Sequence, residues 1–227
     1  MKMLLFDIDG TLLLTGGAGA IAFNKAFLKL FGIPDAWGDT KPHGKTDPVI
    51  IEEIALRVLR RNLTPKEYRT LCVHYLAYFE KELHRARQFR LMPGIPELLL
   101  SLSKRKDILM GLATGNFEKV SWLKLRRGMI DHFFRFGGFG SDSSDRVEFT
   151  ATAVKRGRKL VQKRVKQSDI FVIGDTPKDI LTGKDLRVKT VAVSTGSSSE
   201  SELAKHNPDH LFPDFKNAEL FLKRILS

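Results

Sequence analysis

The chain has 227 residues, and its 42% hydrophobic and 28% charged content is typical of a globular protein and excludes a disordered one. Its formal net charge of +12 is concentrated at 57–61, 104–106 and 155–166, which favours either solvated helix faces or an anionic partner such as nucleic acid. Asp7 and Asp9 interrupt a short apolar N-terminus and no run of about 18 apolar residues follows, so we expect a cytoplasmic protein with no leader and no membrane contact.

The first predicted strand covers residues 3–8 and ends in two aspartates, Asp7 and Asp9. Two carboxylates at the end of a buried strand repel each other unless a cation or a shared proton offsets the repulsion. Alternation along the strand places both carboxylates on one face and directs Ile8 to the other. This pair is the first indication of a functional site.

Residues 16–91 carry an almost entirely helical pattern, which predicts a small all-α cap domain inserted after the first strand. Apolar spacing predicts a first helix over 19–32. Asp47 followed by Pro48 predicts the N-cap and the first-turn proline of a second helix. We therefore assign residues 1–15 and 92–227 to a separate core domain.

A third helix of the insert is predicted to begin at Thr64, which forms a capping box with Glu67. The helical pattern continues to about residue 87. Cys72, the only cysteine of the chain, lies in this pattern, which excludes an internal disulfide and indicates a buried structural thiol.

Beyond the insert, short apolar runs alternate with helical patterns, and this alternation predicts an α/β core with a mostly parallel sheet covered on both faces. A basic helix is expected before the fourth strand, where Val154, Leu160, Val161 and Val165 recur at helical spacing. The remaining predicted strands are 108–114, 133–139, 169–175, 189–195 and an edge strand within 210–215.

Ligands of an open parallel sheet bind at the carboxyl ends of its strands, and three predicted strands end in polar residues. The residues concerned are Asp7, Asp9, Thr114, Gly115, Asn116, Asp175 and Asp179. If these ends are neighbours, Asp7, Asp9 and Asp175 converge, and a hard cation such as Mg²⁺ would relieve their repulsion. Asp7 and Asp175 are the natural ligands.

Such a site suits phosphoryl transfer. Asp7 could attack a phosphoryl group and form an aspartyl-phosphate. Asp9 could protonate the departing oxygen and later activate water. The Thr114 hydroxyl and the amides that follow it face an oxyanion at a helix N-terminus.

The segments DIDGTL, LATGN and VIGDTPKD resemble three signature motifs of the haloacid dehalogenase-like (HAD) hydrolases, and the resemblance extends over essentially the whole chain. It implies a Rossmann-like core with a helical cap, and Mg²⁺-dependent hydrolysis of phosphomonoesters. Carried over, Asp7 is the nucleophile and a Mg²⁺ ligand, and Asp9 is the acid/base that also gives its backbone carbonyl to the ion. Thr114, Gly115 and Asn116 hold phosphate, Asp175 is a Mg²⁺ ligand and Asp179 supports the metal site.

The family's lysine, usually followed by proline, has no counterpart in residues 140–157. Arg146 lies closest to its expected place and would bind phosphate. Since Arg offers a planar fork and Lys a point charge, the replacement changes the geometry. The alternative is a surface arginine that pairs with Asp145 or Glu148.

The segment KPHGKTDP resembles the family's substrate-contacting cap loop, which implies that His43, Lys45 and Thr46 reach into the closed site. The alternative is a helix-capping loop with solvated charges.

Asp9 favours phosphoryl transfer over dehalogenation, because a carbon–halogen bond has no leaving oxygen to protonate. We expect a phosphatase for a small phosphorylated metabolite, with phosphoglycolate as the first candidate, that acts as a monomer or homodimer. The alternatives are a phosphomutase similar to β-phosphoglucomutase and a basic nucleic-acid-binding protein with an idle catalytic site.

Overall fold

A computed structural model describes residues 1–161 and 164–226. Its main sheet has six strands in the order β5-β4-β1-β6-β7-β8, and every neighbouring pair is parallel. These strands are β1 (Lys2–Phe6), β4 (Ile108–Thr114), β5 (Gly137–Phe139), β6 (Ile170–Gly174), β7 (Lys189–Val193) and β8 (His210–Phe212). A separate antiparallel ribbon pairs β2 (Leu13–Leu14) with β3 (Arg90–Leu91).

Helices cover the sheet and form the insert that follows β2. The insert contains α1 (Ala18–Phe31), α2 (Asp47–Leu59) and α3 (Pro65–Arg85). The remaining helices are α4 (Ile95–Ser103), α5 (Glu118–Arg127), α6 (Arg146–Lys159), α7 (Pro177–Asp185), α8 (Glu200–Ala204) and α9 (Ala218–Leu226). The α/β class, the parallel core and the all-α cap after the first strand are as predicted.

The central strand β1 is buried on both faces, which explains its unbroken apolar sequence. Leu4 and Phe6 belong to one hydrophobic cluster, while Met3 and Leu5 belong to another on the opposite face. All four side chains are fully buried, and each contributes about 2 kcal/mol through loss of apolar surface. The end of β1 is therefore held rigidly in the middle of the sheet.

The cap has its own apolar core, built largely from α1, α2 and α3. The predicted capping box is present, since Thr64 accepts from the Glu67 amide and Glu67 accepts from the Thr64 amide. The ribbon of β2 and β3 joins the two chain segments that enter and leave the cap. The boundaries at 16 and 91 stay a prediction.

Some local predictions were wrong. Thr46, not Asp47, is the N-cap of α2, because its hydroxyl accepts from the Val49 amide while Asp47 is already helical. Cys72 is half-buried rather than buried, and burial raises the pKa of its thiol to about 11.

The strand predicted over 133–139 begins only at 137, since a short 3-10 helix occupies Asp131–Phe133. The predicted basic helix ends at Lys159, where the Leu160 amide closes the last turn on Gly157. Its continuation through 162–163 lies outside the described residues. Val165, expected on a helix, is instead buried in a core cluster ahead of β6. Within the described part of the chain, no helix is long and apolar enough to cross a membrane.

Candidate active site

Three carboxylates meet at the carboxyl ends of the two central strands. Asp7 follows β1, Asp175 follows β6, and Asp179 lies in the first turn of α7. One oxygen from each lies within 4.8 Å of the others. They meet because β1 and β6 are parallel neighbours, paired from Met3 with Ile170 to Phe6 with Ile173.

This cluster is buried and electrostatically unfavourable as it stands. Burial, followed by the charge of Asp179, raises the pKa of Asp7 to about 8, although Arg146 acts in the opposite direction. Burial and Asp179 likewise raise the pKa of Asp175 to about 7. Among the described residues, Arg146 is the one cation found to offset the charge on Asp7. Three carboxylate oxygens in such surroundings form a donor set that suits a hard ion such as Mg²⁺.

Neighbouring groups fix the orientation of Asp175. Its two oxygens accept from the Thr11 hydroxyl at 3.0 Å and from the Ser197 amide at 3.2 Å. Gly10 has a φ of +83°, and a Cβ there would lie 2.5 Å from Asp175 Oδ2. The glycine of the DIDGTL segment is thus required by both its backbone conformation and the close approach of this carboxylate.

Arg146 is part of this cluster and is not a surface residue. It begins α6, its side chain is only 12% exposed, and its Nη2 donates to Asp179 Oδ1. Its Nε lacks a hydrogen-bond partner within the described residues.

The alternative of a surface arginine that pairs with Asp145 or Glu148 is wrong, because Arg146 pairs with Asp179 instead. The two expected partners have other contacts. Asp145 caps α6 by accepting from the Val147 and Glu148 amides. The Glu148 carboxylate accepts from the Ser143 hydroxyl.

Asp179 also has a structural role. Its Oδ2 accepts from the Thr176 amide at 3.1 Å and from the Thr176 hydroxyl at 2.7 Å, which forms a capping box at the start of α7. One carboxylate therefore caps a helix and bridges to Arg146.

Asp9 does not join the cluster of three carboxylates, contrary to the expectation that its side chain converges with those of Asp7 and Asp175. Both of its oxygens accept from Lys124 Nζ, at 2.8 and 2.6 Å, and Oδ2 also accepts from Asn116 Nδ2 at 2.8 Å. The buried lysine of α5 attracts the carboxylate away from the like charges. The part expected of the Asp9 backbone carbonyl stays a prediction.

Thr114 is the last residue of β4, Gly115 and Asn116 follow it, and Asn116 contacts Asp9. Asn116 Nδ2 donates to Thr114 Oγ1 at 3.1 Å, and its Oδ1 accepts from Lys124. Gly115 contacts the cap, since a Cβ there would lie 2.7 Å from the Lys45 carbonyl oxygen. Their predicted role in phosphate binding stays a prediction.

Lys124 was not predicted as a site residue. It lies in α5 with Val120, Ser121 and Leu125, all of them buried, and it is itself only 5% exposed. A charged residue on the buried stripe of a helix that directly follows the LATGN segment is the sequence signal that could have indicated it.

Asp47 is the second residue whose place at the site the sequence did not indicate. It joins the cap to the core. Its amide donates to the Gly115 carbonyl at 2.8 Å, and its Oδ2 accepts from the Phe117 amide at 2.7 Å. Burial raises the pKa of Asp47 to about 6, although Lys124 and the Phe117 amide favour the charged form.

A cavity of about 650 Å³ lies between the core and the cap. Its cap side is lined by Phe23, Trp37 and Tyr75. Its core side is lined by the site residues described above, namely Asp7, Asp9, Asn116, Arg146 and Asp175. Of the predicted cap-loop residues, His43 and Lys45 line the cavity and Thr46 does not. Lys45 also pairs with Glu53, and the Thr46 hydroxyl caps α2, so part of this loop has a structural role.

A buried carboxylate cluster at the carboxyl ends of central parallel strands, beside a cavity covered by a helical cap, is typical of an enzyme active site in an α/β protein. Residues 4–193 match the family described as haloacid dehalogenase-like hydrolase. The chain belongs to this family, and the predictions of family membership and of a hydrolase are confirmed.

Individual relatives agree with this assignment. A phosphoglycolate phosphatase of Pseudomonas syringae pv. tomato is 27% identical over 224 residues, which cover 95% of this chain and 77% of that protein. A hydrolase from Pseudomonas syringae has a similar fold, with a TM-score of 0.73 at 21% identity over 100% of both chains. A predicted phosphoglycolate phosphatase from Haemophilus somnus gives a TM-score of 0.70 at 21% identity over 97% of each chain.

A protein provisionally assigned as a beta-phosphoglucomutase, from Bacteroides vulgatus, has a TM-score of 0.69 at 21% identity. The match covers 100% of this chain and 89% of that one. At this level of identity the solved structures bear on the fold alone.

Proposed function

We propose that the protein is a Mg²⁺-dependent phosphomonoesterase that acts on a small phosphorylated metabolite through an aspartyl-phosphate on Asp7. The observation that carries the proposal is the buried cluster of Asp7, Asp175 and Asp179, of which Asp7 and Asp175 line the cavity beneath the cap. The chain's resemblance to a phosphoglycolate phosphatase supports the same reaction class and makes phosphoglycolate the first substrate to test.

Asp7, Asp175 and Asp179 would hold the ion, together with the Asp9 backbone carbonyl. When bound, Mg²⁺ neutralises charge on the phosphoryl group and on the carboxylates around it. Arg146, buried against Asp179, would contribute a second, permanent positive charge to the phosphoryl site. Thr114, Gly115 and Asn116 would bind phosphoryl oxygens through hydroxyl, amide and side-chain donors.

In the first step, an Asp7 carboxylate oxygen forms a bond to phosphorus while the bond from phosphorus to the leaving oxygen breaks. Asp9, in its protonated form, gives its proton to that oxygen, and the alcohol departs. In the second step, Asp9 takes a proton from water, and the water oxygen attacks phosphorus. Inorganic phosphate leaves and the Asp7 carboxylate is restored.

The test is phosphate release from phosphoglycolate, glucose 6-phosphate and p-nitrophenyl phosphate, measured with Mg²⁺ and with EDTA. We expect turnover that requires the metal and that falls at least about 1,000-fold in Asp7→Asn. Asp185→Asn, an exposed carboxylate at the end of α7, is the matched control and should keep its activity. Metal-dependent turnover that survives in Asp7→Asn would disprove the covalent route.

A phosphomutase is the second candidate, favoured by the fold shared with the protein assigned as a beta-phosphoglucomutase. Both reactions begin with phosphorylation of Asp7, but a mutase returns the phosphoryl group to a sugar. Incubation with glucose 1-phosphate separates them: a phosphatase releases inorganic phosphate, whereas a mutase forms glucose 6-phosphate and releases little.

A further inference from the structure

The cap wall of the cavity contains a phenol whose hydroxyl bonds to no other group among the described residues. Tyr75, in the middle of α3, is 2% exposed and lines the cavity. Its hydroxyl has no hydrogen-bond partner among residues 1–161 and 164–226. Arg146 Nε is the one fully enclosed side-chain N or O atom without a partner in this part of the chain, so the Tyr75 hydroxyl keeps some exposed surface, and Tyr75 lines the cavity.

The surroundings of Tyr75 hold its ring in place. It stacks on Phe23 with a centroid distance of 4.0 Å and an interplanar angle of 24°, and it contacts Phe79 at 5.8 Å and Phe117 at 6.3 Å. Phe23 in turn contacts Trp37 at 5.4 Å. These aromatic contacts fix the direction of the hydroxyl without using it.

Tyr75 lies close to the place where the cap meets the core, since its ring contacts Phe117. A Cβ at Gly19, which also lines the cavity, would be 4.0 Å from Tyr75 Oη. Burial, together with the charges of Asp47 and Asp9, raises the pKa of Tyr75 well above its usual range. The phenol therefore stays neutral and able to donate a hydrogen bond.

A ligand that fills the cavity displaces water from this hydroxyl, and a hydroxyl that is then left without a partner is costly. A ligand that accepts its hydrogen bond would remove this cost. Sites built in this way discriminate strongly against analogues that lack the matching group, since the buried donor is then left unpaired.

The size of the cavity indicates what kind of ligand this is. About 650 Å³ is far more than a phosphoryl group and a two-carbon acid require, and it lies within the range of pockets that enclose drug-sized ligands. Its cap side is formed by the aromatic side chains of Phe23, Trp37 and Tyr75. Such a wall favours a ring or a comparable flat apolar body.

We propose that Tyr75 determines specificity for a phosphomonoester whose alcohol carries a ring and, at the edge of that ring, a hydrogen-bond acceptor that the Tyr75 hydroxyl contacts. This inference rests on the proposed phosphatase function and narrows its substrate class. It assigns recognition of the alcohol to the aromatic wall of the cap, at a distance from the carboxylate cluster that carries the chemistry.

The experiment compares phosphoglycolate, benzyl phosphate, and the ortho, meta and para isomers of carboxamide-substituted benzyl phosphate. The benzylic oxygen is the leaving group in every ring ester. Differences in kcat/KM among the ring esters therefore report recognition of the substituent. The variants are Tyr75→Phe, which keeps the stacked ring, and Tyr78→Phe, which removes a hydroxyl from the same helix outside the cavity.

We expect the unmodified protein to prefer at least one carboxamide isomer over benzyl phosphate by about 10-fold in kcat/KM, and to prefer both over phosphoglycolate. Tyr75→Phe should lose about 5- to 10-fold on that isomer and less than about 2-fold on benzyl phosphate. Tyr78→Phe should match the unmodified protein on all substrates.

Equal losses on every substrate in Tyr75→Phe would assign the residue a structural role and overturn the proposal. A preference for phosphoglycolate over all ring esters would overturn the substrate class. Absence of phosphate release from every compound in the unmodified protein would instead count against the proposed phosphatase function itself.

Discussion

Asp7 and Asp9 lie two residues apart at the end of one strand, yet they occupy opposite electrostatic environments. Asp7 is buried beside two other carboxylates, and its pKa is raised to about 8. Asp9 has a side chain that is 41% exposed and that pairs with the ammonium group of Lys124. The first carboxylate thus lies in a cluster with excess negative charge, and the second in a cluster where charge is balanced.

The two environments differ because two different helices each bring one cation to a different carboxylate. Arg146 comes from α6 and contacts Asp179, on the side of Asp7. Lys124 comes from α5 and contacts Asp9 and Asn116. Chemically similar groups can serve as nucleophile and as acid/base when their surroundings differ in this way. The comparison also suggests which substitutions should have the largest effects.

Of the substitutions that alter this contrast, removal of Arg146 should have the largest effect, because it takes away the cation that the described residues place beside the three carboxylates. In Arg146→Met we expect phosphatase activity to fall at least about 100-fold. The free energy of unfolding of the metal-free protein should decrease by about 3 kcal/mol, as for other buried ion pairs that lose one partner. Phosphate release and urea unfolding measure the two effects.

Two controls make the Arg146 prediction specific. Arg146→Lys keeps the charge without the planar fork and should recover part of both losses. Lys155→Met removes an exposed charge from the same helix and should change neither quantity. If Arg146→Met retained full activity, the site would not depend on this cation.

The sequence predicted the fold well wherever burial alone decides the structure. The strand predicted over 108–114 has those bounds in the structure, because its residues are covered on both faces and read as one apolar run. The prediction failed at 133–136, where Phe134 and Phe136 are buried by tertiary packing but precede the strand. Apolar character indicates burial and does not by itself distinguish a strand from a packed connection.

Site residues that follow the end of a strand were predictable from the sequence. Site residues that lie on helices were less predictable. Asp7 and Asp175 meet because the order of parallel strands brings their ends together. The contact of Lys124 with Asp9 depends on the rotation of α5 about its axis, and the contact of Asp47 with Phe117 depends on how the cap packs on the core. Neither follows from local spacing. For the same reason the sequence could not foresee that Lys124 separates Asp9 from the other carboxylates.

Removal of Lys124 should have an intermediate effect that depends on the substrate. Lys124→Met leaves Asp9 with Asn116 as its hydrogen-bonding side chain within the described residues, so the proposed acid/base loses its fixed position. We expect kcat to fall about 30- to 100-fold on an alkyl phosphate, whose leaving oxygen needs a proton. The loss on p-nitrophenyl phosphate should be much smaller, because that leaving group departs without protonation.

Lys119→Met, which removes an exposed lysine from α5, is the control and should behave as the unmodified protein. Equal losses on alkyl and nitrophenyl esters in Lys124→Met would mean that Lys124 supports the fold and does not position Asp9.

The smallest effect concerns Asp47, which is buried at the contact between cap and core. The folded protein holds the Asp47 proton up to a pKa of about 6, whereas the unfolded chain releases it near 3.8. Between these values the folded state binds more protons, so this group lowers the free energy of unfolding as the pH rises. Asp47→Asn keeps an oxygen that can accept from the Phe117 amide and removes the ionisation.

The variant should therefore gain stability relative to the unmodified protein as the pH rises from 4 to 7, by about 2 kcal/mol in metal-free buffer. Urea unfolding of both proteins at several pH values measures this difference in free energy of unfolding. The contributions of the other titrating groups cancel in the difference because both proteins share them. Asp39→Asn, at a side chain that is 92% exposed, should parallel the unmodified protein throughout. A relative stability of Asp47→Asn that stays constant or declines over this range would mean that Lys124 and the Phe117 amide outweigh burial, and that the charged carboxylate strengthens the contact between cap and core.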